Sequence, residues 1–135
     1  MIETVRLSEK AKNQLSNLKR KTGIQNWNVL CRWGFCLSLA ERSVPPDENI
    51  PLDSSVEMTW RTFTGGREEV FWGLLLVRAK RDGIALEREA LGKYFRLHLH
   101  RGISYLNGSP SLRKIDDLAR LALTAGSQSV TLAGA

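Results

Sequence analysis

The sequence predicts a mainly α fold: a compact helical domain of about five helices with a short N-terminal strand. Three observations carry that expectation. Residues 26–40, NWNVLCRWGFCLSLA, are apolar over too long a run for a typical strand. Residues 67–81, REEVFWGLLLVRAKR, form a second such run. Glu68 and Glu69 sit in its first turn and Arg78, Lys80 and Arg81 in its last, which suits the helix dipole at both ends. Farther on, Leu112, Ile115, Leu118, Ala119 and Ala122 make an amphipathic stripe.

In chain order, Thr4-Val5-Arg6-Leu7 alternates and reads as an edge strand. Ser8 is the expected N-cap of a helix whose inner stripe is Ala11, Leu15 and Leu18, and Gly23 its C-cap. The helix over 26–42 has only Asn28, Arg32, Ser38 and the flanking Glu41 and Arg42 as polar residues. A helix so apolar must be buried on most sides, partly against a second copy of the chain. Strand, helix, glycine turn, helix is the order of a ribbon-helix-helix module. Three prolines make residues 43–51 a connector. Val56, Met58 and Trp60 alternate with Glu57, Thr59 and Arg61, which reads as a strand or an extended arm over 55–63. Trp60 there is a candidate partner or inter-subunit residue, and Gly65-Gly66 a turn.

A helix over 86–101 gathers Leu91, Tyr94, Phe95 and His98 on one face, and 102–108 reads as a turn-rich link. Ser109 is a candidate N-cap, with Pro110 at the first helical position and Gly126 as the stop. One domain is expected from the length: a basic module (1–42), a connector (43–66), a helical part (67–126) and a loose tail (127–135).

The formal net charge of +6 is segregated. Residues 1–42 hold eight Lys/Arg against three Asp/Glu, and residues 43–66 one against four. That pattern suits a polyanion-binding face. The candidate DNA contacts are Arg6, Lys10, Lys12, Lys19, Arg20 and Lys21, with a second cluster of Arg78, Lys80 and Arg81. The candidate oligomer interface is Trp27, Trp33, Phe35, Leu37, Phe71 and Trp72. Met1 is followed by Ile-Glu-Thr rather than a basic and then apolar leader, so a cytoplasmic location is expected. Cys31 and Cys36 point different ways on one helix and are expected as reduced, buried thiols.

No catalytic or cofactor motif emerges. Gly65-Gly66 lacks dinucleotide-loop spacing, and there is no CxxC and no Walker-type Gly-Lys-Ser/Thr. His98 and His100, two apart on a helix, suit a shared metal poorly. Glu68-Glu69 and Asp116-Asp117 are better read as dipole-matching charges than as an acid/base pair. The chain is expected to be no enzyme and to carry no cofactor or metal.

Three stretches resemble the DndE family of bacterial DNA phosphorothioation: IETVRLSEKAKNQLSNLKRKTGIQNWNVLCRWGFCLSLAE, TWRTFTGGREEVFWGLLL and LHLHRGISYLNG. The resemblance implies a mostly helical homotetramer that binds DNA, prefers nicked duplex and has no chemistry of its own. It implies partners too: a cysteine desulfurase, a sulfurtransferase-like iron–sulfur subunit and an ATPase subunit. The family has no short motif marking its DNA contacts, so the candidate residues rest on charge placement alone. Two alternatives stand beside it. One is a ribbon-helix-helix-like sequence-specific regulator, with residues 4–7 in a major groove and Arg6 reading bases. The other is a scaffold whose basic faces meet only protein partners.

Overall fold

The computed structural model describes residues 1–134, with side chains to Thr124. Its elements run β1 (Thr4–Arg6), α1 (Glu9–Thr22), α2 (Trp27–Ala40), β2 (Glu57–Thr59), α3 (Trp60–Thr64), α4 (Glu68–Arg81), α5 (Arg88–Gly108) and α6 (Ile115–Gly134). The fold is mainly helical, as expected, with a two-stranded antiparallel sheet at one side. Ser8 caps α1 by accepting the Ala11 N–H, and Gly23 closes it in the left-handed region.

The sheet decides how the N-terminal module is built. Val5 pairs with Met58, flanked by Thr4 with Thr59 and Arg6 with Glu57. β1 thus finds its partner within its own chain. A ribbon-helix-helix dimer would instead pair that strand with a second copy.

The segment expected as an arm is folded onto the core. Thr59 caps α3 by accepting the Thr62 N–H, and Trp60 is 2% exposed with its indole N–H donating to the Glu68 carbonyl. The rings of Phe63 and Phe95 lie 5.3 and 5.2 Å from that of Trp60. Trp60 is therefore a core residue, not an inter-subunit one. The Gly65-Gly66 turn holds both residues at positive φ, which glycine adopts without a steric penalty.

The centre is α2 packed along α5, with α1, α3 and α6 covering other sides of α2. Phe35 is fully buried among Phe63, Phe71 and Phe95. Much of the burial that α2 demands thus comes from its own chain. The crossing is close because Gly34 and Gly102 meet backbone to backbone. Residues 102–108 are accordingly helix, not a link: Ile103 and Leu106 are fully buried and continue the inner face of α5. Burial of that face overrides the glycine signals.

Ser109 consequently caps the end of α5 rather than opening α6. The start of α6 is held by the Asp117 carboxylate, which accepts the Arg113 and Lys114 N–H groups. The helix runs on through Gly126. Cys31 is buried, and burial pushes its thiol up to about 12; Cys36 faces outward, contrary to the expectation for it.

Two buried histidines follow from the same packing. Ser38 Oγ accepts from Arg101 Nε at 2.8 Å, so its own proton goes to His98 Nδ1, also at 2.8 Å. His98 is fully buried, with Tyr94 edge-on at 4.6 Å, and Nε2 has no partner among the described residues. Burial, with Arg101 and Arg78 nearby, pulls His98 down to about 3. His100 Nδ1 faces the Arg96 carbonyl and Nε2 accepts the Ser8 N–H; burial lowers it as well.

The unfolded chain takes up these protons near pH 6.5 while the folded chain resists them. Stability is therefore whole above pH 6.5 and falls as pH drops toward 3. The loss approaches about 1.4 kcal/mol per pH unit for each proton involved. Urea titrations from pH 7 to 4 should show this slope, and His98→Gln should flatten it.

Candidate nucleic-acid interface

The basic residues of α1 divide by what they touch. Lys10 is exposed beside the connector. Lys12 Nζ lies 3.9 Å from Glu9 and 3.5 Å from Ser55 Oγ. The last turn carries Lys19, Arg20 and Lys21, none of which pairs with a carboxylate among the described residues. Arg20 donates to Asn17 Oδ1 at 3.0 Å. Lys19 places its ammonium 3.6 Å from the ring centroid of Trp27, across the turn into α2. That contact locks the end of α1 onto the start of α2.

The start of α2 is itself electropositive. Asn26 makes no side-chain cap bond, and the first turn contains no acid. α3 lies alongside. Asn28 donates to the Thr62 carbonyl at 3.1 Å, and Arg32 to those of Thr62 and Phe63. A groove of about 480 Å³ runs here, with Lys12, Trp27, Asn28, Met58 and Thr62 in its lining. Exposed Arg61 belongs to α3 and exposed Arg67 follows it. Sequence reasoning passed over both, because they fall outside any run of basic residues.

The second predicted cluster comes apart. Arg78 is 6% exposed and serves as an internal brace. Its Nε donates to Asp82 at 2.9 Å, Nη1 to the Leu39 carbonyl at 2.7 Å, and Nη2 to those of Glu41 and Ser43 at 2.7 and 3.0 Å. Four of its five N–H groups are taken by the fold, and a side chain so deeply buried offers no face to a phosphate. Burial works to raise the Asp82 carboxyl, but bonds from Tyr94 and Arg78 hold it below the usual carboxylate range. Arg101 adds a second brace, donating to Ser38 and Ser43. Lys80 is exposed, and Arg81 stands 3.7 Å from Asp82 with a half-exposed side chain.

Arg6 is half-exposed but bound to Glu57 at 2.6 Å across the sheet. The interface candidates also divide. Phe35 and Phe71 are core residues and unavailable to a partner. Trp27, Trp33, Leu37 and Trp72 are half-buried at the edge of that core.

These features define a class: a mostly helical chain with one uncompensated basic end, joining the turn between α1 and α2 to α3. The family model for the DNA sulphur modification protein DndE matches residues 4–114. Two solved structures share the fold. The DndE G21/24K mutant, described as involved in DNA phosphorothioation, is 22% identical at a TM-score of 0.63, over 81% of this chain and 100% of that one. DndE from Escherichia coli B7A, described as involved in DNA phosphorothioation modification, is 28% identical at 0.65, over 78% and 98%. No curated protein matches this sequence. The chain belongs to the DndE family. No helix among the described residues is long and apolar enough to cross a membrane.

Proposed function

We propose that the chain acts in DNA phosphorothioation as an accessory subunit that binds the DNA backbone and performs no chemistry itself. The family match over residues 4–114 carries the reading. The basic end of α1 beside the uncapped start of α2 supports it, since phosphates favour unpaired cations and helix N-termini. Lys10, Lys12, Lys19, Arg20, Lys21 and Arg61 are the contacts proposed there, with Lys80 and Arg81 outside that end.

In this reading the working unit is a homo-oligomer, a tetramer, in the cytoplasm. Repetition of the basic end makes the surface multivalent. Contacts of this type position DNA without reading its sequence. A nick softens the duplex, so a surface that asks DNA to bend favours nicked over intact substrate. The sulfurtransferase-like and ATPase subunits supply chemistry and sequence choice.

The test is the triple replacement of Lys19, Arg20 and Lys21 by Glu, which takes the net charge from +6 to 0, three changes of −2 each. Titrations of nicked and intact duplex across a salt series should show affinity down roughly tenfold or more, with a salt slope reduced by about 0.9 per lost phosphate contact. Unchanged affinity and slope would place DNA elsewhere.

A further inference from the structure

The groove of about 480 Å³ beside the start of α2 brings three chemistries together. Trp27 and half-buried Met58 give it apolar surface. Asn26 and Asn28 give it amides. Lys12 gives it a cation, and Lys19, Arg20 and Lys21 stand at the end of α1, shortly before Trp27 in the chain. The acid in the lining, Glu57, is bound by Arg6 at 2.6 Å and so adds little free negative charge.

Trp27 is only partly buried, and its ring borders the groove. The Lys19 ammonium, 3.6 Å from the ring centroid, helps to fix the orientation of the indole. An aromatic side chain held in advance loses little further freedom when a flat ligand stacks on it. The amides are open as well. Asn28 Nδ2 donates to the Thr62 carbonyl, while Oδ1 has no partner among the described residues. Asn26 makes no side-chain cap bond. An amide carries both donor and acceptor, so it can meet the polar rim of any base.

A ligand with flat faces, a polar rim and attached negative charge matches all three chemistries. That ligand is a nucleotide. Inside a duplex the faces of a base are covered by its neighbours and its pairing edge by its partner, so only an unpaired base presents them.

We infer that this groove takes one unpaired base of a DNA strand, stacked on Trp27, with its flanking phosphates on Lys12 and the basic end of α1. The inference rests on the DNA-binding part of the proposed function and deepens it. Backbone contacts hold any duplex; the groove adds selection for a strand with an unpaired base. That selection tolerates any sequence, because every base has a face to stack. Trp27, an interface candidate in the sequence, becomes a ligand contact.

The test uses duplexes of one sequence: intact, nicked, and with a single-nucleotide gap that leaves one thymine unpaired. Fluorescence anisotropy at fixed salt gives the affinity of wild type, Trp27→Phe and Trp27→Leu, with helical circular dichroism as the check on folding. Wild type should bind the gapped duplex roughly tenfold more tightly than the intact one, within the range that stacking one base on an aromatic ring supplies. Trp27→Leu should bring that ratio close to one, whatever its overall affinity, and Trp27→Phe should keep most of it. In parallel, 5-iodouracil replaces the unpaired thymine and is irradiated in complex with wild type. The crosslink should map to Trp27. Because it uses the wild type, it decides the matter even where Trp27→Leu unfolds.

A wild type that binds gapped duplex no more tightly than intact duplex would overturn this inference and leave the backbone reading standing. An unchanged ratio in folded Trp27→Leu, or a crosslink mapped outside the groove, would do the same. No binding to any of the duplexes would overturn the proposed function together with this inference.

Discussion

Gly102→Ala is expected to destabilise the protein by about 3 kcal/mol or more, a large part of a typical stability of about 5–15 kcal/mol. A Cβ at Gly102 would land on the carbonyl group of Gly34. Both sides of that contact are helix backbone, so no side-chain rotation relieves it. The helices must separate, and the aromatic cluster of Phe35, Phe63 and Phe95 then loses its fit. Gly34→Ala should act in the same direction, since its Cβ would lie 2.9 Å from the Ile103 nitrogen. The control lies on the same helix. A Cβ at Gly92 would come no closer than 3.4 Å, to a flexible Arg96. Gly92→Ala should therefore gain up to about 1 kcal/mol from helix propensity. Urea unfolding of the three variants measures both effects. A Gly102→Ala protein as stable as Gly92→Ala would mean that the α2–α5 crossing is looser than described.

That crossing shows why parts of the fold were legible and others were not. Period and caps are local signals. They located β1, the Ser8 and Gly23 caps, and the cores of α1, α2 and α4. Gly102 and Gly108 look locally like breakers, yet Gly102 is where two helices touch. Only the tertiary contact with Gly34 reveals that, and no periodicity in either helix encodes it. Ser109-Pro110 reads as a helix start for the same local reason; the capping carboxylate, Asp117, comes several residues later. Trp60 is a candidate partner or inter-subunit residue in the sequence because its alternation is that of a strand or an extended arm. The short α3 instead turns it into the core beside Phe63 and Phe95.

The candidate site divides along the same line. A run such as Lys19-Arg20-Lys21 is visible as charge, and it has no carboxylate partner among the described residues. Arg78 looked equivalent, as a cation in the last turn of a helix. What separates them is the C-terminal end of α2, whose carbonyls need donors and have Arg78 and Arg101 within reach. Those partners lie 35 to 63 residues away in sequence, beyond any local signal.

Arg78→Ala should accordingly behave as a core mutation and not as the loss of a DNA contact. It removes four hydrogen bonds and strands the Asp82 carboxylate, whose side chain is 7% exposed. Breaking a buried pair from one side costs about 3–5 kcal/mol. Asp82→Asn should recover part of that loss in the Arg78→Ala background, because it removes the uncompensated charge. The pH dependence carries the sign. In the wild type the Asp82 carboxyl is depressed, so its contribution is present above the unfolded pKa and fades in acid. Without Arg78 the folded pKa rises, because burial is then opposed only by Tyr94 and Arg81. Ionising Asp82 favours the folded state less than in the wild type, so the deficit of Arg78→Ala should be larger at pH 7 than near pH 4. Urea titrations of Arg78→Ala, Asp82→Asn and the double variant at both values decide it. DNA affinity, measured where all the proteins are folded, should stay near wild type. Unaltered stability with weakened DNA binding would return Arg78 to the DNA surface.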